Sequence, residues 1–231
     1  MNLLLVNDDG IHAPGLTALE RAVQGFGQAV TVAPDKHFSG CGHQATTHRP
    51  LRLTEAGPRR FMLDGTPADC TRVGLTHVAD DIDWVVAGIN EGGNLGADVY
   101  MSGTVAAARE AAFLGKPAIA ISHYVRRSQN IDWGQAANWA AIVLQRIFSQ
   151  ATEKRPAVGT YWNVNLPHCE PGAPFPDIVD CPLDGNAMPV AFELHEGLLH
   201  YRGNYHQRQR TAGHDVDVCF SGRIAITRLM L

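Results

Sequence analysis

The sequence predicts an α/β fold in which helices cover both faces of a mostly parallel sheet. Short apolar runs alternate with amphipathic segments through the first two-thirds of the chain, and turn-forming residues separate them. Strands buried on both faces contain such continuous apolar runs, and parallel strands need helical connections between them. The predicted class is therefore Rossmann-like, with a C-terminal irregular β extension.

The first half of the chain provides three buried strands and their connections. The predicted elements are, in order, a strand at 3–6, a helix at 15–26, a strand at 29–34, short strands at 50–54 and 60–63, a helix at 66–78 and a strand at 83–89. The strands at 3–6 and 83–89 have apolar residues at successive positions, as expected for full burial. Thr66 and Pro67 form a favourable helix start, because threonine caps the first turn and proline needs no N–H there.

The second half continues the alternation and then loses it. The predicted elements are a glycine-rich loop at 90–103, an alanine-rich helix at 104–114, a strand at 117–122, an amphipathic helix at 133–148, a strand at 161–167, an irregular segment at 168–189, short strands and turns at 190–220 and a strand at 223–229. The extension has too few large apolar residues for a core of its own. We therefore predict one domain, with a core at 1–167, a β-hairpin or irregular extension at 168–222 and a returning strand at 223–231.

The composition excludes several classes of protein. The 19 Lys and Arg residues against 23 Asp and Glu residues leave a net charge of −4, whereas nucleic acids and anionic membranes require a basic face. The five cysteines form no CxxC pair, so neither a disulfide framework nor a zinc site is indicated. Without an apolar run of about 18 residues or a signal-peptide pattern, we expect a cytoplasmic protein with no nucleic-acid or membrane partner.

Two adjacent carboxylates follow the first predicted strand. Asn7, Asp8, Asp9 and Gly10 stand beyond its carboxyl end, where ligands bind in open α/β sheets. Neighbouring carboxylates repel each other unless a cation lies between them, and oxygen ligands favour Mg²⁺, Mn²⁺ or Ca²⁺. The motif predicts a metal site, and the alternative is that both aspartates only cap a turn or the next helix.

The glycine-rich loop and the helix start that follows it predict an anion site. Their polar and small members are Asn90, Asn94, Ser102, Gly103 and Thr104. Free N–H groups and the helix dipole at a helix start attract phosphate, and glycines allow the backbone to approach a ligand closely. The alternative is a long loop with a Ser/Thr helix cap.

Ser39 lies in the loop after the strand at 29–34, which opens on the same edge of the sheet. A lone serine is a weak signal, and it gains meaning only from this placement. Three loops then bring two carboxylates, a hydroxyl and amides around one point. Such a set of groups suits a hard cation and a phosphate.

These motifs resemble the SurE family of metal-dependent 5′/3′-nucleotidases. The resemblance rests on VNDDGIHAPG at 6–15, VAPDKHFSG at 32–40, DGTPADC at 64–70, GINEGGNLGADV at 88–99 and SGTVAAAREA at 102–111, with later segments at 163–167 and 215–229. It implies hydrolysis of nucleoside 5′- and 3′-monophosphates by a cytoplasmic oligomer, and short polyphosphate is a further substrate of some members.

The resemblance also implies a site. One divalent cation per subunit, Mg²⁺ or Mn²⁺, would be held by Asp8, Asp9, Ser39 and Asn90, and the phosphate would contact Asn94, Ser102, Gly103 and Thr104. Asp8 or Asp9 would hold or activate the attacking water, and the sequence leaves that choice open. Because the chain stops at Leu231, where many relatives continue into a tail that joins subunits, a homodimer is favoured over a homotetramer.

Other residues near these motifs bear on substrate preference or on proton transfer. The family usually has a small residue or histidine at Glu91, a proline at Gly93 and an aromatic residue at Met101, so these three positions bear on substrate preference. His12, His37 and His43 lie near the motifs as candidate acids, although ordinary loop positions are the favoured interpretation.

A phosphoacceptor receiver domain is the alternative from another class, since it also places paired acids after its first strand. That fold needs an aspartate at the end of its third strand and a lysine at the end of its fifth, but the matching strands here end at Asn90 and at Ser122-His123. An aspartyl-phosphate phosphatase needs Asp-x-Asp, whereas Asp8 and Asp9 are adjacent. Both alternatives are disfavoured.

Overall fold

The computed structural model describes residues 1–126, 130–154, 156–170 and 172–231. Its elements are, in order, β1 (Asn2–Val6), α1 (Pro14–Ala22), β2 (Gln28–Pro34), β3 (Leu53–Gly57), β4 (Arg60–Leu63), α2 (Pro67–Val73), β5 (Trp84–Glu91), α3 (Gly103–Phe113), β6 (Ala118–His123), α4 (Trp133–Glu153), β7 (Thr160–Leu166), β8 (Ile178–Asp180), β9 (Phe192–His195), β10 (Leu198–Tyr201), α5 (Asp215–Phe220) and β11 (Ile224–Met230).

The central sheet is mostly parallel, as predicted. Its strand order is β3-β4-β2-β1-β5-β6-β7-β11-β8, and the pairs from β4 to β7 are all parallel. The outer strand β3 pairs antiparallel with β4, and the returning strand β11 pairs antiparallel with β7. The strand order reverses direction at β1, which places the loops after β1, β2 and β5 beside one another.

The apolar run of β1 is buried because helices cover both faces of the sheet. Leu3 and Leu5 belong to a cluster that includes residues of α1 and α4. Leu4 and Val6 belong to a second cluster that includes residues of α2 and α3. Successive strand residues point to opposite faces, so a strand between two helical layers needs an apolar residue at every position.

Several predicted boundaries are wrong by a few residues. The helix predicted at 15–26 ends at Ala22, and the chain turns before Gly27, which has φ +134°. The helix predicted at 66–78 is α-helical only to Val73 and then forms one π-helical stretch over Gly74–Val78. The glycine-rich loop contains a 3₁₀ helix at Gly96–Tyr100. Helix ends are poorly marked by apolar periodicity, because the last turn can tighten or widen while the same residues stay buried.

The C-terminal extension contains the predicted β-hairpin, formed by β9 and β10, but also a helix where strands and turns were predicted. Helix α5 is only six residues long, too short for a helical period, and its valines favour strands. Asp215 at its start accepts hydrogen bonds from the N–H groups of Gly96 and Asp184 at 2.8 Å and 2.7 Å, while Val216 belongs to a third apolar cluster that includes Leu95. Tertiary contacts, rather than local propensity, determine this helix.

Across the ranges given above, no helix is both long and apolar enough to cross a membrane. The division of the chain at 167 and 222 stays a prediction.

Gly88→Ala is expected to lower the free energy of unfolding by about 2–4 kcal/mol. Gly88 has φ +136°, and a Cβ atom there would lie 2.2 Å from the carbonyl oxygen of Ile121 in the adjacent strand β6. Urea unfolding of both proteins measures the difference. Gly25→Ala is the control, because no atom lies within 4 Å of its Cβ position. Equal stability of the two variants would contradict the close strand contact.

Candidate active site

The Asn7 side chain holds the turn after β1 through two hydrogen bonds. Asn7 donates from Nδ2 to the carbonyl oxygen of Gly10 at 2.9 Å, and its Oδ1 accepts the Gly10 N–H at 3.2 Å. Gly10 has φ +102°, a conformation that favours glycine. This turn presents Asp8 and Asp9 at the carboxyl edge of the sheet.

Asp8 is a buried carboxylate. It is 4% exposed, and the Thr104 hydroxyl donates a hydrogen bond to its Oδ1. Burial raises the pKa of Asp8 from the usual 3.8 to about 6, the neighbouring Asp9 charge adds to the rise, and the hydrogen bond from Thr104 opposes it. The site therefore disfavours an uncompensated charge on Asp8, and a nearby cation would remove that penalty.

Asp9 is more accessible and has two polar neighbours. The backbone N–H of Glu91 donates to Oδ2 at 3.3 Å, and Nδ1 of His37 lies 3.1 Å from Oδ1. Burial raises the pKa of Asp9, while the Glu91 hydrogen bond and the His37 charge act against that rise. His37 is thus the one of the three candidate histidines for which the structure describes a contact with a predicted site carboxylate.

Backbone contacts bring the predicted loops together. The N–H of Phe38 donates to the carbonyl oxygen of Asp8 at 2.8 Å, which places the following Ser39 beside the turn. The N–H of Gly42 donates to the carbonyl oxygen of Met101 at 2.9 Å, so the same loop is attached to the segment before α3. At Gly103, a Cβ atom would lie 2.9 Å from Cβ of Asp8. Glycine therefore permits the start of α3 to approach the carboxylate.

Asn90 lies at the carboxyl end of β5, next to the residue that contacts Asp9. Its Nδ2 donates to the carbonyl oxygen of Gly92 at 2.8 Å, which leaves Oδ1 as the side-chain atom suited to a cation. Among the residues described, no three His, Cys, Asp or Glu side chains are grouped closely enough to hold a metal. The donor set is instead two carboxylates with amide and hydroxyl oxygens, and this set fits a hard divalent cation.

The start of α3 combines capping with an anion-attracting geometry. Ser102 is the N-cap, and its Oγ accepts the N–H of Val105 at 3.1 Å. Thr104 is fully buried, and its hydroxyl donates a hydrogen bond to Asp8. The first N–H groups of a helix have no partner within it, so Gly103 and Thr104 can offer their backbone to a phosphate. The capping interpretation of Ser102 is confirmed, and its phosphate role stays a prediction.

Asn94 belongs to a buried amide network that the motif analysis missed. Its Nδ2 donates to Oγ of Ser122 at 2.7 Å, and its N–H donates to Oδ1 of Asn165 at 2.8 Å. Asn163 and Asn165 both donate to its carbonyl oxygen, at 2.8 Å and 3.0 Å. The signal available in the sequence was two asparagines within an otherwise apolar strand, because a buried amide needs a partner. The network fixes the loop between β5 and α3.

The other two histidines differ in their surroundings. His43 lies 2.6 Å from Glu110, which also accepts a hydrogen bond from Arg72 at 2.6 Å. Burial alone would raise the pKa of Glu110, but these two partners outweigh it and the pKa is lowered. His12 is exposed. His43 therefore attaches its loop to α3, and its contact is with Glu110 instead of the two aspartates.

Comparison with known proteins gives consistent matches. The family model for "Survival protein SurE" matches residues 3–178. A protein of Synechocystis is 49% identical over 229 residues, covering 99% of each chain. The "5′-nucleotidase SurE" of Paramagnetospirillum magneticum is 34% identical over 245 residues, covering 99% of this chain and 89% of the relative. The crystal structure of the SurE protein from Aquifex aeolicus superposes with a TM-score of 0.85 at 32% identity, covering 100% and 93% of the two chains.

Asp8→Asn is expected to stabilise the metal-free protein at pH 8. The pKa of Asp8 in the folded protein, about 6, exceeds its usual value of 3.8, so the folded state holds the proton more strongly than the unfolded state. The free energy of unfolding therefore falls as pH rises from about 4 to about 6 and stays lowered above that range. Asparagine keeps an oxygen acceptor for Thr104 but carries no charge.

Thermal unfolding in EDTA at pH 4 and pH 8 measures this effect. The variant should melt higher than the wild type at pH 8, and the difference should be lost at pH 4. Asp80→Asn is the control because Asp80 is exposed. A wild type that is more stable than Asp8→Asn at pH 8 would contradict the burial of an uncompensated charge.

Proposed function

The chain belongs to the Survival protein SurE family and is a 5′-nucleotidase that hydrolyses nucleoside monophosphates, and we propose that it does so with a divalent cation held between Asp8, Asp9, Ser39 and Asn90. The family membership carries the enzyme class. The observation that best supports the cation is the contact of the α3 start with Asp8, because it brings a buried carboxylate and an anion-attracting helix end to one place. A cation is the group that would let both the carboxylate and a phosphate stay there.

Asp8, Asp9 and the start of α3 have different roles in the proposed reaction. The chemistry that a divalent cation supplies when bound is polarisation of a phosphoryl oxygen and a lowered pKa of water. We assign the base role to Asp9, because it is the more accessible carboxylate and has His37 beside it to share a proton. Asp8 is fixed by Thr104 and serves as a ligand. The N–H groups of Gly103 and Thr104 would stabilise the charge that develops on the phosphoryl oxygens.

Three expectations stay predictions: hydrolysis of 3′-monophosphates, hydrolysis of short polyphosphate and the cytoplasmic location. The identity of the cation as Mg²⁺ or Mn²⁺ is a proposal supported by the all-oxygen donor set.

We propose a homodimer in which the hairpin of β9 and β10 contacts a second copy. Phe192, Leu194, Leu199 and Tyr201 share one face of the hairpin, because they pair as 192 with 201 and 194 with 199. Each is more than half exposed. A two-stranded hairpin is only marginally stable alone in water, and an uncovered apolar face on it is typical of an interface. A two-fold axis would place this face against its own copy.

Sedimentation tests the dimer. Leu194→Lys combined with Leu199→Lys is expected to convert a dimer into a monomer, because two charges would be buried in the contact. Leu198→Lys is the control, since Leu198 lies on the opposite face of the same hairpin. A wild type that sediments as a monomer, or a dimer that persists in the double variant, would contradict the proposal.

Release of inorganic phosphate from each nucleoside 5′- and 3′-monophosphate tests the proposed function. Activity is expected with Mg²⁺ or Mn²⁺ and is expected to disappear in EDTA. Asp9→Asn should lower kcat by at least about 100-fold at saturating cation, the range typical of a lost general base. Full turnover by metal-free enzyme would overturn the metal assignment, and an unimpaired Asp9→Asn variant would overturn the base assignment.

Ser102 provides a test of the phosphate site. Ser102→Ala is expected to lose about 1 kcal/mol of stability with the cap, and about 10- to 150-fold in kcat/KM if the hydroxyl also donates to the phosphate. Ser102→Gly separates the two roles, because glycine at an N-cap costs only a few tenths of a kcal/mol. Steady-state kinetics and thermal unfolding of both variants are required. Unchanged kcat/KM in Ser102→Gly would leave only the capping role.

A further inference from the structure

A cavity of about 330 Å³ opens directly from the proposed catalytic carboxylate. Asp9, His37, Ser39 and Glu91 line it together with Trp133 and the start of α1. Its volume is at the lower end of the range found for small-molecule sites. It therefore has room for a single compact group attached to a phosphate at the metal site.

Two of the lining residues, Gly15 and Trp133, are closely packed against each other. At Gly15 in α1, a Cβ atom would lie 3.0 Å from two carbons of the Trp133 indole and 1.9 Å from the carbonyl oxygen of Ile89. Glycine therefore lets α1, β5 and the first residue of α4 meet at this point. Trp133 is only partly buried, so part of its ring remains available to a ligand.

The lining of this cavity has the chemistry of a nucleoside site. An indole ring stacks on any base, because every base has a π face. The exposed Glu91 carboxylate can accept hydrogen bonds from sugar hydroxyls, and its charge would repel a further phosphate. With the proposed cation bound at Asp9, Glu91 is the remaining carboxylate among the lining residues, and its charge opposes a second anion.

We propose that this cavity binds the nucleoside part of the substrate, with the base against Trp133 and the sugar hydroxyls at Glu91. The inference rests on the proposed 5′-nucleotidase activity and adds a substrate preference to it. Nucleoside monophosphates whose other sugar hydroxyls carry no phosphate are favoured as substrates, and nucleoside bisphosphates are disfavoured.

A pair of substrates that differ only in the base tests the role of Trp133. Trp133→Leu in the Mn²⁺-loaded enzyme lowers kcat/KM for adenosine 5′-monophosphate by about 5- to 150-fold, the range for loss of one stacked base. The same variant leaves kcat/KM for ribose 5-phosphate within about twofold, because that substrate has no base to stack. Trp139→Leu is the matched control: Trp139 lies on the same helix, is more deeply buried and packs against Phe175 instead.

Trp133→Leu could lower activity through misfolding, so binding is measured as well. Adenosine quenches the tryptophan fluorescence of the wild type and of Trp139→Leu, and this quenching is lost in Trp133→Leu. Thermal unfolding shows whether each variant is folded. Equal losses for the two substrates, or unchanged quenching in Trp133→Leu, would overturn the base site.

The role of Glu91 has its own test. Glu91→Gln raises kcat/KM for adenosine 3′,5′-bisphosphate relative to adenosine 5′-monophosphate by at least about tenfold, because one like-charge contact is removed. An unchanged ratio would overturn the assignment of Glu91. Failure of the proposed function is distinguishable from failure of this site. Absence of hydrolysis of both adenosine 5′-monophosphate and ribose 5-phosphate with every cation would overturn the activity, whereas the adenosine-dependent quenching tests the base site without hydrolysis.

Discussion

The burial of one carboxylate next to another is the constraint on which the site depends. Asp8 is almost fully buried, and both the loss of solvent and the charge of Asp9 raise its pKa. The Thr104 hydroxyl offsets only part of that penalty. Such an arrangement reduces the stability of the metal-free protein at neutral pH, and the proposed cation would remove that penalty.

Several contacts in the surrounding fold hold the neighbouring loops around these two carboxylates. The Asn7 side chain holds the turn, Gly103 allows the helix start to approach Asp8, and the loop of Ser39 is attached to Asp8 through a backbone hydrogen bond. The buried amides around Asn94 then fix the connection between β5 and α3. Each contact places a polar group or a free N–H at the same edge of the sheet, where an anion and a cation can be held together.

Much of this could be predicted from the sequence because its signals are local. The continuous apolar runs at 3–6 and 83–89 predicted buried parallel strands, and parallel strands end at one sheet edge, so the motifs after them had to meet. The remainder depends on contacts between distant segments. Helix α5 is stabilised by Asp215 bonding to Gly96, and Asn94 is oriented by residues about 70 positions away. His37 and His43 also look alike in sequence, yet one faces Asp9 and the other Glu110.

Anomalous diffraction at the manganese edge, from crystals grown with Mn²⁺ and phosphate, locates the proposed cation. We expect one manganese peak per chain, about 2.0–2.6 Å from oxygens of Asp8, Asp9, Ser39 and Asn90, with phosphate at the start of α3. A peak elsewhere, or phosphate at the helix start with no manganese beside the two aspartates, would contradict it.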